Sequence, residues 1–273
     1  MTAFAGNSLL CRLALKNTAI DAASFTAIRM VSGALVLWLV TRQFRPGQPG
    51  QIGKGNWPSA LALFAYAAAF SFAYMSLPTG TGALLLFGAV QATMIGYGLW
   101  SGERLRPPQL AGLTLALGGL LGLLLPGASA PPLGGSVLMI SAGIAWGIYS
   151  LRGKSAGDPT RVTAGNFLRA APFAIALSLF MFTFKGASLD AAGFCYAVAS
   201  GAVTSGIGYA IWYTALPALK ATTAATVQLS VPVIAALGGI ALLGEPVTLR
   251  LVLASSAILG GIALVVLQKR AGP

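Results

Sequence analysis

Apolar stretches of roughly 20 residues follow one another along the whole chain, and short connections between them hold nearly all of the charge. That is the length an α-helix needs to cross the hydrocarbon core of a bilayer. The pattern predicts ten such segments. The first, Met1 to Ala19, is a weak span that meets Arg12 early and starts close to, or partway through, the membrane. The others are predicted at Ala23–Val40, Trp57–Leu77, Gly82–Trp100, Leu110–Leu125, Val137–Leu151, Val162–Phe184, Phe194–Leu216, Thr222–Leu243 and Leu249–Leu267. The alternating apolar/polar segments of an outer-membrane barrel are absent. The fold class expected is therefore an all-α integral membrane protein with ten transmembrane helices.

Composition sharpens this reading. Hydrophobic residues make up 56% of the 273 positions and charged residues only 8%, with a mean hydropathy of +0.82. A soluble domain carries about a quarter charged residues, so the chain is expected in a lipid bilayer. Its net charge of +12 does not point to nucleic acid, because the bases sit in connections between apolar runs, where they set membrane orientation. Eleven of the 17 basic residues follow spans two, four, six and eight or end the chain, and four follow the odd-numbered spans. Both termini are thus expected on the cytoplasmic side of the inner (plasma) membrane.

The chain also repeats itself. Thr222–Leu267 and Gly80–Leu125 share one design, two apolar runs joined at a Gly-Glu break. Glu103 and Glu245 are 142 positions apart, as are Arg12 and Lys154, and Arg29 and Arg169 stand 140 apart. Each half, 1–126 and 132–268, therefore holds five spans, and an odd number turns the second half upside down relative to the first. Two inverted five-helix repeats place a cavity between the halves near mid-membrane and suit a protein that opens to each side in turn, although channels share such repeats.

Gly102-Glu103-Arg104-Leu105 after span four, Gly244-Glu245-Pro246-Val247 after span nine and the run from Val227 to Thr248 resemble the EamA-type permeases of the drug/metabolite transporter superfamily. NSLLCRLAL near the start, with Arg29 and Arg169 in the second span of each half, also fits. The resemblance covers essentially the whole chain, and its motifs mark the fold rather than a substrate. Val90 departs from it, standing where the second half has Pro232; so does span one, which lacks a Trp-Gly lead-in before Asn7.

Polar and aromatic side chains within spans are the candidate substrate contacts: Asn7, Tyr74, Gln91, Trp146, Tyr149, Tyr209, Trp212, Gln228 and Ser230. Amides and hydroxyls meet a solute's polar atoms without the cost of a buried charge, and helix packing is the plainer reading of each. Pro232 lacks an N–H and is expected to break span nine near Gln228. Arg29 and Arg169 lie inside apolar spans, where a charge needs a partner, water or a route to the interface. They read either as contacts for an anionic solute or as structural groups. Bridges between halves are expected, Glu103 with Arg169 or Lys154 and Glu245 with Arg29 or Arg12, and each glutamate also suits the start of the helix that follows it. Trp38, Trp57 and Trp100 near span ends read as interfacial belt residues.

Cys11 and Cys195 have no paired spacing and read as small buried hydrophobes. There is no histidine, and no metal cluster or cofactor is expected. The five acidic residues all fall in or beside loops, which leans away from a proton relay in the membrane. No P-loop is present, and without a histidine the chain has no Ser-His nucleophile constellation. The function expected is therefore a secondary transporter, not an enzyme, that exports or exchanges a small-molecule substrate such as an amino acid or related polar solute. A non-transporting structural or regulatory membrane subunit is the alternative, and a membrane enzyme a weaker one.

Overall fold

The computed structural model describes residues 1–44, 55–102, 107–125, 127, 130–153, 158–186, 188–215, 228 and 230–267. The described residues form ten helices and no strand. They are α1 (Thr2–Asn17), α2 (Ala22–Phe44), α3 (Trp57–Tyr74), α4 (Thr79–Trp100), α5 (Pro107–Leu124), α6 (Leu133–Gly153) and α7 (Pro159–Lys185). Then follow α8 (Ala191–Ala215), α9 (Ser230–Leu243) and α10 (Leu249–Leu267). Among them α2 to α8 are long and apolar enough to cross a membrane, and α9 and α10 are apolar but shorter.

Local chemistry sets the helix starts. Asp21 accepts hydrogen bonds from the Ala23 and Ser24 amides, Asp158 from Thr160 and Arg161, Asp190 from Gly193, and Asn56 from Ser59. All three aspartates thus stand at helix N-termini, where a carboxylate satisfies free N–H groups and meets the positive end of the dipole. Helices α4, α5 and α6 begin about one turn earlier than the apolar pattern marks, at Thr79, Pro107 and Leu133, because small and proline residues open a helix without being apolar.

The helices pack with their apolar outsides left open. Large side chains such as Leu35, Leu121, Leu179, Phe182, Ile211, Leu237 and Leu253 are exposed, while Asn7, Arg29, Gln91, Ser200 and Ser205 are buried. This is the reverse of a soluble protein and suits a lipid surround. Trp57 and Trp100 are exposed at the ends of α3 and α4, the belt positions expected of them. Inside, α2 packs on α7, α3 on α6, α4 on α6 and α9, α5 on α10, and α1 on α8 and α9.

One element differs from the sequence reading. Span eight is not a uniform α-helix: Ser200–Ile207 is π-helical between two α-helical arms, Ala191–Ala199 and Gly208–Ala215. Pro232 is buried within the described part of α9, and Gln228, four residues before it, is helical too. Residues 216–227 and 229, in which the rest of the expected ninth span falls, lie outside the described residues, as do Glu103 and Lys154.

Candidate functional site

The polar groups of the interior gather at mid-length of α1, α3 and α8. The π-helical turn widens the spacing within α8 and carries three hydroxyls, those of Ser200, Thr204 and Ser205. Ser200 Oγ and Thr204 Oγ1 both donate to Asn7 Oδ1, and Asn7 Nδ2 donates to the Tyr66 hydroxyl at 3.3 Å. Arg29 reaches the same point from α2. Its Nε donates to Ser205 Oγ at 3.1 Å, and its Nη2 to the hydroxyls of Tyr66 at 3.2 Å and Tyr209 at 3.4 Å. The Tyr209 hydroxyl donates to that of Tyr66 at 3.3 Å. The guanidinium carbon lies 5.3 Å from the Tyr66 ring centre and 5.1 Å from that of Phe70, within cation–π range.

Arg29 is 0% exposed, so it does not snorkel. The residues bonded to it are hydroxyls, with no carboxylate among the described ones, and its Nη1 has no hydrogen-bond partner there. Around this cluster stands an aromatic wall. Trp146 lies 4.8 Å from Tyr66 and 4.9 Å from Tyr209 by ring centres, and Phe4 lies 5.5 Å from Tyr209 and 5.9 Å from Trp212. Tyr149 stacks 5.5 Å from Trp146, and its hydroxyl accepts from Asn166 Nδ2 at 3.4 Å. A small cavity of about 10 Å³ sits between Phe4, Tyr66, Phe70, Leu86, Phe87 and Trp146, room for about one water.

The ends of the bundle are tied separately. At one end Arg12 Nη1 donates to the carbonyls of Tyr74 at 2.7 Å and Met75 at 3.1 Å, the C-terminal end of α3. Its Nε stands 3.6 Å from Glu245 Oε1. Glu245 in turn accepts from the Thr79 amide at 2.7 and 2.9 Å and from Thr79 Oγ1 at 3.0 Å. Lys16 Nζ donates to the Leu243 carbonyl at 3.2 Å. Glu245 therefore does not open α10, the helix that follows it. It caps α4, whose own N-cap is Pro78 with no side-chain bond. Of its two expected partners, Arg12 pairs with it; Arg29 is held by hydroxyls instead. At the other end Arg152 donates to Ser59 Oγ at 3.1 Å and Asn56 Oδ1 at 3.3 Å, and the Asn56 amide donates to Asn166 Oδ1 at 3.0 Å.

The structure thus brings Asn7, Trp146, Tyr209 and Trp212 of the sequence candidates into one cluster with Arg29, and Tyr149 stands between Trp146 and the Asn166 end. Tyr74 lies instead toward the Arg12–Glu245 end, where its hydroxyl donates to the Thr79 carbonyl at 3.3 Å. Gln91 is buried beside a cavity of about 20 Å³ between α4, α5 and α10, apart from the cluster. Gln228 is buried and Ser230 half-buried. Arg169 shares the 140-residue offset with Arg29 but not its role: half-buried, it donates to its own helix at the Gly165 carbonyl and lies 5.9 Å from the Trp57 ring centre. Sequence reasoning missed Tyr66, Phe4, Phe70 and the hydroxyls of the π-helical turn. The run Ser200-Gly-Ala-Val-Thr-Ser-Gly-Ile-Gly208, small and polar in mid-span, was the available signal.

Gly201 lets this turn approach α2. A Cβ added there would overlap Ser32 Oγ and the Arg29 carbonyl, whereas one added at Gly260 meets nothing. Gly201→Ala is expected to cost about 2 kcal/mol of stability through overpacking. Gly260→Ala, which gains helix propensity, is expected to be neutral or slightly stabilising. Melting of the detergent-purified variants checks both.

A buried polar cluster walled by aromatics thus lies inside a bundle of apolar helices. The profile of the EamA-like transporter family matches residues 133–267, from α6 to the end of α10. Uncharacterized protein PA1977 of Pseudomonas aeruginosa is 60% identical over 266 residues, covering 97% of this chain and 91% of its own length. A crystal structure of a protein 21% identical in sequence superposes with a TM-score of 0.69, covering 98% of this chain and 96% of its own, and shares the fold. The chain belongs to the EamA-like transporter family and is a multi-pass membrane protein.

Proposed function

We propose that the protein is a secondary transporter that carries a small polar metabolite across the inner membrane by alternating access, in export or exchange. The observation that carries this reading is the central cluster, built from both halves of the chain: Asn7, Arg29 and Tyr66 from the first, and Trp146, Ser205 and Tyr209 from the second. A site at the joint of two halves is where rocking of one against the other changes access.

The packing supports two inverted five-helix repeats, 1–126 and 132–268. Exchanging each helix for the one five places along turns the contact of α3 with α6 into that of α8 with α1, and α4 with α6 into α9 with α1. It turns α3 with α7 into α8 with α2, and returns α2 with α7 and α5 with α10 to themselves. Arg12, Lys16 and Glu245 make the closure at the end away from the cytoplasm, and Arg152 with Asn56 and Asn166 the closure at the cytoplasmic end, where both termini lie by the distribution of basic residues. The glycine-lined π-helical turn gives α8 a place to flex between the two.

Counterflow tests the proposal. Proteoliposomes holding the purified protein and an unlabelled solute mixture are expected to accumulate the labelled form of a transported solute transiently, and protein-free liposomes are not. Failure of every solute class to exchange, with folded protein in the bilayer, contradicts transport.

A further inference from the structure

The central cluster has more hydrogen-bond donors than acceptors. Tyr66 oxygen is met by three donors, Asn7 Nδ2, Arg29 Nη2 and the Tyr209 hydroxyl, although a hydroxyl has only two lone pairs. Whichever way the Tyr66–Tyr209 contact runs, one phenolic proton lacks an acceptor among the described residues. Arg29 Nη1 lacks one too. The acceptor side of Asn7 is taken by Ser200 and Thr204. To this surplus is added a full positive charge, and the acidic side chains the structure describes are occupied at helix ends: Asp21, Asp158 and Asp190 at N-caps, and Glu245 on Thr79 and Arg12.

A group that accepts hydrogen bonds and donates none, and carries one negative charge, answers all three features at once; an ionised carboxylate is such a group, and guanidinium matches it in shape. The rings of Tyr66 and Phe70 flank the guanidinium, and the side chains next to them are Phe4, Leu86, Phe87 and Trp146. The water-sized space there does not hold a solute in this closed form, but once the halves part the body of a ligand bound to Arg29 meets apolar surface. We infer that the solute of this site is a small organic carboxylate with an apolar body and no compensating ammonium group, its carboxylate held by Arg29 Nη1 and the tyrosine hydroxyls. The inference rests on the transport reading only for calling the ligand cargo. A zwitterionic amino acid would leave the site with its positive charge, and its ammonium would add donors where acceptors are short. Binding of a monoanion neutralises Arg29, so the closed form between the two openings is favoured when the site is loaded. Exchange of one anion for another is then faster than net flux.

Three probes of one skeleton decide it: 3-phenylpropanoate, phenylalanine and phenethylamine, titrated at millimolar concentration against detergent-purified protein, with melting temperature and tryptophan fluorescence as readouts. The anion is expected to bind at least about tenfold more tightly than the zwitterion, and the cation more weakly still. In Arg29→Gln the anion's stabilising effect is expected to vanish without a fall in the unliganded melting temperature, and in Arg29→Lys to weaken. An arginine that only props the helices would lower the unliganded melting temperature when replaced and leave the order of the probes unchanged; that result overturns the inference. So does stronger binding of phenylalanine or phenethylamine by the wild type, or no binding by any of the three, and these comparisons stand even if the Arg29 variants do not fold. Anion binding through Arg29 without counterflow in proteoliposomes would remove the transport reading and leave the site. Counterflow of a solute that Arg29→Gln carries equally well would do the reverse.

Discussion

Glu245→Ala is expected to lower the stability of the protein by about 3 kcal/mol, the cost of removing one partner from a mostly buried ion pair. The side chains of Arg12 and Glu245 are only 13% and 8% exposed, so water does little to replace the lost carboxylate. The loss falls on two elements at once. Arg12 keeps its bonds to the Tyr74 and Met75 carbonyls but loses its counter-charge. Helix α4 loses its only described side-chain cap, leaving the Thr79 amide and hydroxyl without their acceptor and the positive end of its dipole bare. Arg12→Met should cost less, and the double variant less than the sum, with a coupling of about 1 to 3 kcal/mol between the two sites. Unfolding titrations of the four proteins in mixed micelles measure the cycle. Additive effects would mean that the pair does not hold this end of the bundle. Because the same contacts join α1, α3, α4 and α9, the variant should also leave that end more open, with faster labelling of cysteines placed just below it.

Asn7→Asp carries the second large effect, and in the opposite direction. The replacement is isosteric and supplies the negative charge that the cluster lacks. The new carboxylate would still accept from Ser200 and Thr204, and Tyr66 would turn from an acceptor of three donors into a donor toward it. Arg29, joined to Asn7 through the Tyr66 oxygen, gains a counter-ion within the protein. The unliganded protein is expected to gain about 1 to 2 kcal/mol, a rise of several degrees in melting temperature. Affinity for 3-phenylpropanoate is expected to fall at least about tenfold, since the site no longer needs an external anion. Adding Arg29→Gln to Asn7→Asp should reverse the gain, because the carboxylate is then the uncompensated charge. If Asn7→Asp melts lower than the wild type and binds the anion unchanged, Arg29 is not short of a counter-ion.

The apolar runs made the membrane class and nearly all helix positions legible in the sequence, because a helix that crosses lipid needs a run of about 20 apolar residues. What they left out follows from the same physics. Tyr66 escapes a sequence reading because it stands in an apolar, aromatic segment with Phe70 and Tyr74, a pattern that packing alone produces; nothing in one segment shows that its hydroxyl meets a guanidinium from α2. Arg29 and Arg169 are equivalent by offset, yet one is enclosed and the other lies against Trp57, because burial depends on the neighbours that packing supplies. Glu245 is expected from sequence at the start of its own following helix, but Gly244 at φ +61° turns the chain, a conformation glycine adopts freely, and the carboxylate serves α4 instead. The π-helical turn of α8 is hidden because a π turn has the same composition as an α turn. Its small hydroxyl residues are the trace it leaves.

Alternating access means that one site between the two halves of the chain faces each side of the membrane in turn. The most direct measurement is two-sided labelling of a single cysteine at Thr204, in a protein whose Cys11 and Cys195 are replaced by alanine. Thr204 lies in the cluster and bonds Asn7. A membrane-impermeant maleimide is applied to right-side-out and to inside-out vesicles. Alternating access predicts labelling from both sides, with a saturating solute slowing both, and with labelling from the Arg12–Glu245 side accelerated in Glu245→Ala. Labelling from one side only, in the wild-type background and in Glu245→Ala alike, would contradict alternating access.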